Sequence, residues 1–329
     1  MVAMLSSARK LQRKLRDRLK KYKNRRLRRY AVSLRSGKIA ALRAARAAGL
    51  WRPVIVEDLI VSLTSFPVRI GKLDRVIRAL FEQSLQPRKI VLYLSLDEFP
   101  DRVLPKQLTA LEDDRFEIRF VEGNLRPYKK LLYALADFPE ASIITVDDDN
   151  LYPTDCFARL WAAASANPAA IICVRGRHIE IRNREIMPYL EWPVTRSPRP
   201  SFLIFPVGGW GILYPPRSLH PMIGRLDLVR EIAPPNDDVW FKAMSLLQDV
   251  PCHAIGSTQP GARLTYKDDR KIWDDHQQGQ GFQQMVNQVF GHFGMSVDTI
   301  LAKEAELEAR EAARSAKKNL KGEVAAKVE

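Results

Sequence analysis

The chain has 329 residues, 46% of them hydrophobic and 28% charged, enough for one large domain or two small ones and ordinary for a globular protein. Its net charge of +15 is concentrated: 17 of the 53 Lys and Arg residues lie in residues 1–50 beside a single acid, Asp17, so this segment carries +16 and the remainder −1. A fold coated with positive charge is thereby excluded, and an anionic surface would be met by an appendage. Three widely spaced cysteines, Cys156, Cys173 and Cys252, exclude a disulfide framework or a zinc pattern and read as buried thiols in a reducing compartment. Nothing approaches the roughly 20 apolar residues of a membrane span, and no signal-peptide apolar region follows Met1, so a cytoplasmic protein is expected.

In chain order, Leu11, Leu15, Leu19 and Tyr22 recur at helical spacing and predict one or two basic helices over 8–46. From Trp51 strand and helix signals alternate. Strands are predicted at 58–63, 89–95, 116–121, 142–146 and 170–175, and helices at 72–84, 128–137 and 154–166. This alternation predicts an α/β fold with a mostly parallel sheet flanked by helices. Ten of the 21 prolines fall between Met187 and Pro235, which predicts irregular loops shaping a second substrate site. After Val297 the chain turns to Ala, Glu, Lys and Arg, predicting a solvent-exposed helix with a disordered end. The expected organisation is a basic helical arm (1–50), a catalytic domain (51–295) and a charged helical tail (296–329).

The predicted strand 142–146 runs directly into Asp147, Asp148 and Asp149. Ligands of open α/β sheets bind beyond the carboxyl ends of strands, and three adjacent carboxylates repel one another unless a cation sits among them. A divalent ion shared with substrate phosphates is one reading; a solvated turn capping the helix near Thr154 is the other. Lys129 and Lys130 open a predicted helix, where the dipole disfavours a cation unless an anion is near. Asp237 and Asp238 stand at another helix start, where one cap needs only one Asp. His253, His276 and His292 show no ligand spacing, and none is assigned.

Five segments fall in one order: Val-Ser-Leu-Thr-Ser-Phe-Pro-Val-Arg-Ile (61–70), Leu-Arg-Pro-Tyr-Lys-Lys-Leu-Leu-Tyr-Ala-Leu (125–135), the acidic run with Tyr152 and Pro153, Gly-Gly-Trp-Gly-Ile-Leu-Tyr-Pro-Pro (208–216) and Pro-Asn-Asp-Asp-Val-Trp-Phe-Lys-Ala-Met (235–244). Together they resemble the bacterial nucleotide-sugar glycosyltransferases of the Rossmann-like GT-A fold, a group linked to capsule and surface-glycan synthesis. The resemblance implies that Asp149 ligates Mn²⁺ or Mg²⁺, and that Asp147 contacts the metal or ribose. It places Thr64, Ser65, Arg69, Lys129, Lys130, Asp147 and Asp148 at the nucleotide sugar. Gly209 and Trp210 fall at the acceptor, and Asp238 is implied as the catalytic base with Asp237 as its partner.

The expected activity is glycosyl transfer from a nucleotide-diphosphate sugar to a hydroxyl of a glycan or lipid-linked acceptor. An anionic membrane surface is the expected partner of residues 1–50, which would hold the protein on the inner face of the membrane. A nucleotidyltransferase is the rival enzyme, although Thr64-Ser65-Phe66-Pro67 stands where a glycine-rich phosphate loop would be expected. A nucleic-acid-binding protein acting through the basic arm is the rival of another class.

Overall fold

The computed structural model describes residues 53–233, 236–257, 262–264, 266 and 280–326, together with Ala40 and Ala44. The predicted arm over 1–50 otherwise lies outside the described residues, as does His276. Apolar, β-branched runs form β1 (Val54–Thr64), β2 (Leu85–Ser95), β3 (Phe116–Val121), β4 (Ser142–Thr145), β5 (Ile171–Cys173), β6 (Ile212–Tyr214) and β7 (Cys252–Ala254). They make one seven-stranded sheet in the order β7-β5-β6-β4-β1-β2-β3. β1 pairs in parallel with β2 and β4, as do β2 with β3 and β5 with β7; β6 is antiparallel to both β4 and β5.

Successive strand residues serve opposite faces. Ile60, Val91 and Ile143 enter one core with Leu131 and Ala134 of α2 (Lys129–Asp137) and with Val239 and Ala243 of α4 (Asp237–Leu247). Leu59, Val61, Leu92 and Ile144 enter the other with Val76 and Ile77 of α1 (Leu73–Phe81) and Phe157 and Leu160 of α3 (Cys156–Ala166). Covering both faces is what a parallel sheet requires, and it leaves the carboxyl ends of β1 and β4 facing the same rim. All three cysteines are free and buried, as their apolar surroundings predict.

Two expectations change. The proline-rich stretch holds more regular structure than composition predicts: β6 inserts into the central sheet, Ile204–Pro206 pairs with Gly176–His178, and Leu226–Ile232 is helical. β6 is only three residues long, set between Gly211, whose φ of +99° favours glycine, and Pro215. So short a strand carries no readable period.

The C-terminal segment also departs from a free helix. After α5 (Gln280–His292), α6 (Val297–Ala326) docks its first turns on the domain. Ile300 is buried, and Glu304 Oε2 accepts from Ser201 Oγ at 3.0 Å and from the Phe202 N–H at 2.7 Å. Arg199 pairs with Glu304, Glu308 and Glu311. Sparse apolar residues hid this contact, because polar side chains carry much of it. Glu304→Ala strands two buried donors and is expected to destabilise the fold by about 1–3 kcal/mol, measured by urea unfolding. Among the described residues, no helix is long and apolar enough to cross a membrane.

Candidate active site

β4 ends at Thr145, and the chain turns at once, so the three carboxylates leave the sheet in different directions. Asp148 faces the end of β1: its Oδ2 accepts from Ser65 Oγ at 2.6 Å and its Oδ1 from Arg69 at 2.7 Å. Burial still dominates and pushes Asp148 up to about 6. Asp149 is fully buried; Arg263 holds its Oδ2 at 2.6 Å and Arg69 lies 3.3 Å from the same oxygen. Its Oδ1 is buried with no hydrogen-bond partner among the described residues. Burial and the neighbouring Asp147 raise its pKa, against the pull of Arg263 and Arg69.

Asp147 turns toward α2. Lys130 Nζ donates to its Oδ1 at 3.0 Å and lies 3.3 Å from Asp237 Oδ2, so one buried ammonium joins the acidic run to the second acidic pair. Burial opposes ionisation of Asp147, but Lys130, Arg263 and Arg69 together hold its pKa below the usual range. The same carboxylates keep Lys130 protonated against its burial. This pairing answers the misfit of a lysine at a helix N-terminus.

α4 begins with Asn236 as its cap, its side chain accepting from the Asp238 N–H at 2.9 Å. Neither Asp237 nor Asp238 is therefore needed to cap it. Asp238 Oδ2 accepts from the Gly208 N–H at 3.1 Å; burial, then Asp237, pushes its pKa up to about 8. Tyr128 at the start of α2 places its hydroxyl against the carbonyls of Ala233 and Asn236, fixing the approach to α4.

The Gly208–Trp210 turn closes the site. A Cβ on Gly208 would stand 2.7 Å from Asp238 Oδ1, and one on Gly209 would stand 2.9 Å from Asp147 Oδ2. Asn150 and Tyr152 donate to the Gly209 carbonyl, and the Tyr152 hydroxyl also accepts from the Asp147 N–H at 2.8 Å. Both glycines leave room for carboxylates from separate elements. Gly208→Ala is expected to displace Asp238 and lower turnover by up to about 10²-fold, checked by steady-state kinetics beside a melting curve.

Residues 69–225 match the family model described as Glycosyl transferase family 2. This segment is similar to the family 2 glycosyl transferases. The sheet is mostly parallel and Rossmann-like, with helices on both faces. No curated protein matches the chain. Among solved structures, it is similar to the mannosyltransferase PcManGT from Pyrobaculum calidifontis in complex with GDP-Man and Mn²⁺, at 14% identity and TM-score 0.44, covering 87% of each chain. It is similar to S. aureus TarS 1-349 in complex with UDP-GlcNAc at 10% identity and TM-score 0.42, covering 73% of this chain and 74% of that one. A third is a 4-diphosphocytidyl-2C-methyl-D-erythritol synthase from Anaerococcus prevotii, at 12% identity and TM-score 0.41, covering 70% of this chain and 99% of that one.

In the structure the acidic run, Asp237, Asp238, Lys130 and Gly209 come together. The other predicted donor residues have partners within the fold. Thr64 donates its hydroxyl to the Tyr93 carbonyl at 2.8 Å, and Ser65 and Arg69 hold Asp148. Lys129, read together with Lys130, points away: its Nζ meets Glu98 at 2.6 Å and Asn124 at 3.2 Å. Adjacent helix positions diverge by about 100°, so a lysine pair cannot serve one site equally. Trp210 is partly exposed beneath Arg175, with the guanidinium carbon 5.4 Å from its ring centre. The acidic run caps no helix; α3 starts after Asp155.

Sequence reasoning missed Arg263, Asn236 and the hydroxyl of Tyr152. Arg263 gives no local signal, since the short pairing of Ala262–Arg263 with Asn150–Leu151 that delivers it is long-range. His253 bonds the Ser197 carbonyl at 3.2 Å, and His292 ends α5. Among the described residues, no three His, Cys, Asp or Glu side chains form a metal cage.

Proposed function

We propose that the chain transfers a glycosyl group from a nucleotide-diphosphate sugar to a hydroxyl of a glycan or lipid-linked acceptor, in surface-polysaccharide synthesis. The observation that carries this reading is the Gly208–Gly209 turn, which touches both Asp238 and Asp147. A base and an acidic donor site thereby lie across two residues of backbone.

A divalent cation, Mn²⁺ or Mg²⁺, fits the residues present. Asp149 Oδ1 is buried without a hydrogen-bond partner among the described residues, and Asp147, two positions before it, is held ionised. Carboxylate oxygens are the donors a hard cation takes, with substrate phosphates completing its shell. Asp149 and Asp147 would hold it, and when bound it supplies charge neutralisation for the leaving diphosphate. Arg69 and Ser65 fix Asp148 and so the turn on which both ligands sit. Lys130 keeps Asp147 ionised and orients Asp237. Asp238 takes the proton of the acceptor hydroxyl as that oxygen attacks the sugar. Trp210 offers a flat apolar face to the acceptor's sugar ring.

The test is a screen of nucleotide sugars for hydrolysis, with Mn²⁺ and with a chelator. One donor is expected to turn over, with the signal lost on chelation. Turnover of none, together with release of pyrophosphate from a nucleoside triphosphate and a sugar phosphate, would replace this reading with nucleotidyl transfer.

For residues 1–50, a +16 segment with a narrow Leu stripe suits an anionic membrane, where each nearby Lys or Arg contributes about 1 kcal/mol. The full chain is expected to pellet with anionic vesicles and not neutral ones, and a truncation starting at Trp51 with neither. Added salt should weaken the binding. Equal pelleting of both proteins would remove the membrane role.

A further inference from the structure

The cations of the acidic run each have a carboxylate partner: Lys130 has Asp147 and Asp237, Arg69 has Asp148, and Arg263 has Asp149. Arg175 is different. It lies just beyond β5, its backbone fixed by the Val207 N–H donating to its carbonyl at 2.9 Å. Its Nε is buried and has no hydrogen-bond partner among the described residues. Its guanidinium lies over Trp210 at 5.4 Å, where the ring faces the cation without accepting its N–H fork. Burial and the like charge of Arg177 both disfavour its protonated form. Arg177, two residues on, donates instead to the Trp192 carbonyl and lies over the Tyr189 ring.

A buried donor without an acceptor is costly, and a guanidinium held over an indole is preorganised for a planar or tetrahedral oxyanion. The position of this group identifies whose oxyanion. Trp210 directly follows Gly208 and Gly209, the residues that touch Asp238 and Asp147. The Val207 N–H that bonds the Arg175 carbonyl is one residue from the Gly208 N–H that donates to Asp238 Oδ2 at 3.1 Å, so Arg175 and Asp238 share one neighbourhood. That neighbourhood is the base's side of the site. The donor's side already has Lys130, Arg69 and Arg263 among its carboxylates.

We propose that Arg175, held on Trp210, binds an anionic group of the acceptor, a phosphate or a carboxylate. The proposal rests on the acceptor reaching Asp238, as in the function proposed above. It makes the acceptor an acidic glycan or a sugar phosphate, and it makes Arg175 a specificity-determining residue without a part in proton transfer.

The test uses the full chain with Mg²⁺ and excess UDP or GDP, whichever binds, followed by NMR of arginine Nε–H groups. The Arg175 signal is identified by its loss in Arg175→Lys. Titration with glucose 1-phosphate or glucuronate is expected to shift it, and methyl glucoside is not. As a second readout, Arg175→Gln should weaken glucose 1-phosphate binding about ten-fold or more in calorimetry and leave nucleoside diphosphate binding unchanged. Three outcomes overturn the proposal: a shift produced by the nucleotide alone, an equal shift with the neutral glucoside, or no response to any anion. None of these readouts needs turnover, so failure of the donor screen and failure of this proposal are separate results.

Discussion

Asp149→Asn is expected to lower donor turnover by about 10²–10³-fold, the scale of removing one group that stabilises transition-state charge. The side chain is fully buried, with Oδ2 held by Arg263 and Arg69 and Oδ1 without a donor among the described residues. Asn keeps the volume and removes the charge that a cation would meet. Burial raises the pKa of this carboxyl, so the charged form is already disfavoured in the fold and a neutral replacement should leave the melting temperature within a few degrees. Kinetics in Mn²⁺ beside a thermal melt separate the two effects. Unchanged activity that also resists a chelator would end the metal role of this position.

Asp238→Asn should cost about 10²–10⁴-fold in rate, with donor binding little changed, as for loss of a general base. The pH dependence gives a second signature. Only the ionised carboxylate accepts a proton, and Asp238 is pushed up to about 8 by burial and by Asp237. For the wild type, kcat/KM should therefore rise about ten-fold per pH unit at acidic pH and level off above about 8. The Asn variant should lack that rising limb. Asn236 already caps α4, so a purely structural role would show as a lowered melting temperature with activity intact.

The fold was legible where apolar runs were long. The predicted strand at 116–121 is β3 with the same bounds, and residues 59–63 of the 58–63 run are the buried part of β1. The two-faced burial of Ile60 against Leu59 and Val61 follows from an unbroken apolar strand. β6 was not legible, because its three residues gain strand geometry only from β4 and β5 on either side. The docked start of α6 was hidden because Glu304 and Arg199 hold it by polar contacts.

Within the candidate site, the carboxylates were readable and their partners were not. Three consecutive Asp at a strand end announce a charge problem, yet the sequence does not reveal that Lys130 joins Asp147 to Asp237, ninety positions away along the chain. Lys129 and Lys130 look alike in sequence; only the turn of α2 sends one to Glu98 and the other to the site. Nor does the sequence reveal that Gly208 and Gly209 stand where carboxylates occupy the space of a Cβ.

The most direct measurement is calorimetric titration of UDP and of GDP into the full chain, with Mn²⁺ or Mg²⁺, with a chelator, and into Asp149→Asn. One nucleoside diphosphate should bind with the cation present, and its affinity should fall about ten-fold or more both on chelation and in the variant. Binding of equal strength in all three conditions, or binding of neither nucleotide, would contradict a metal-assisted donor site at Asp147 and Asp149.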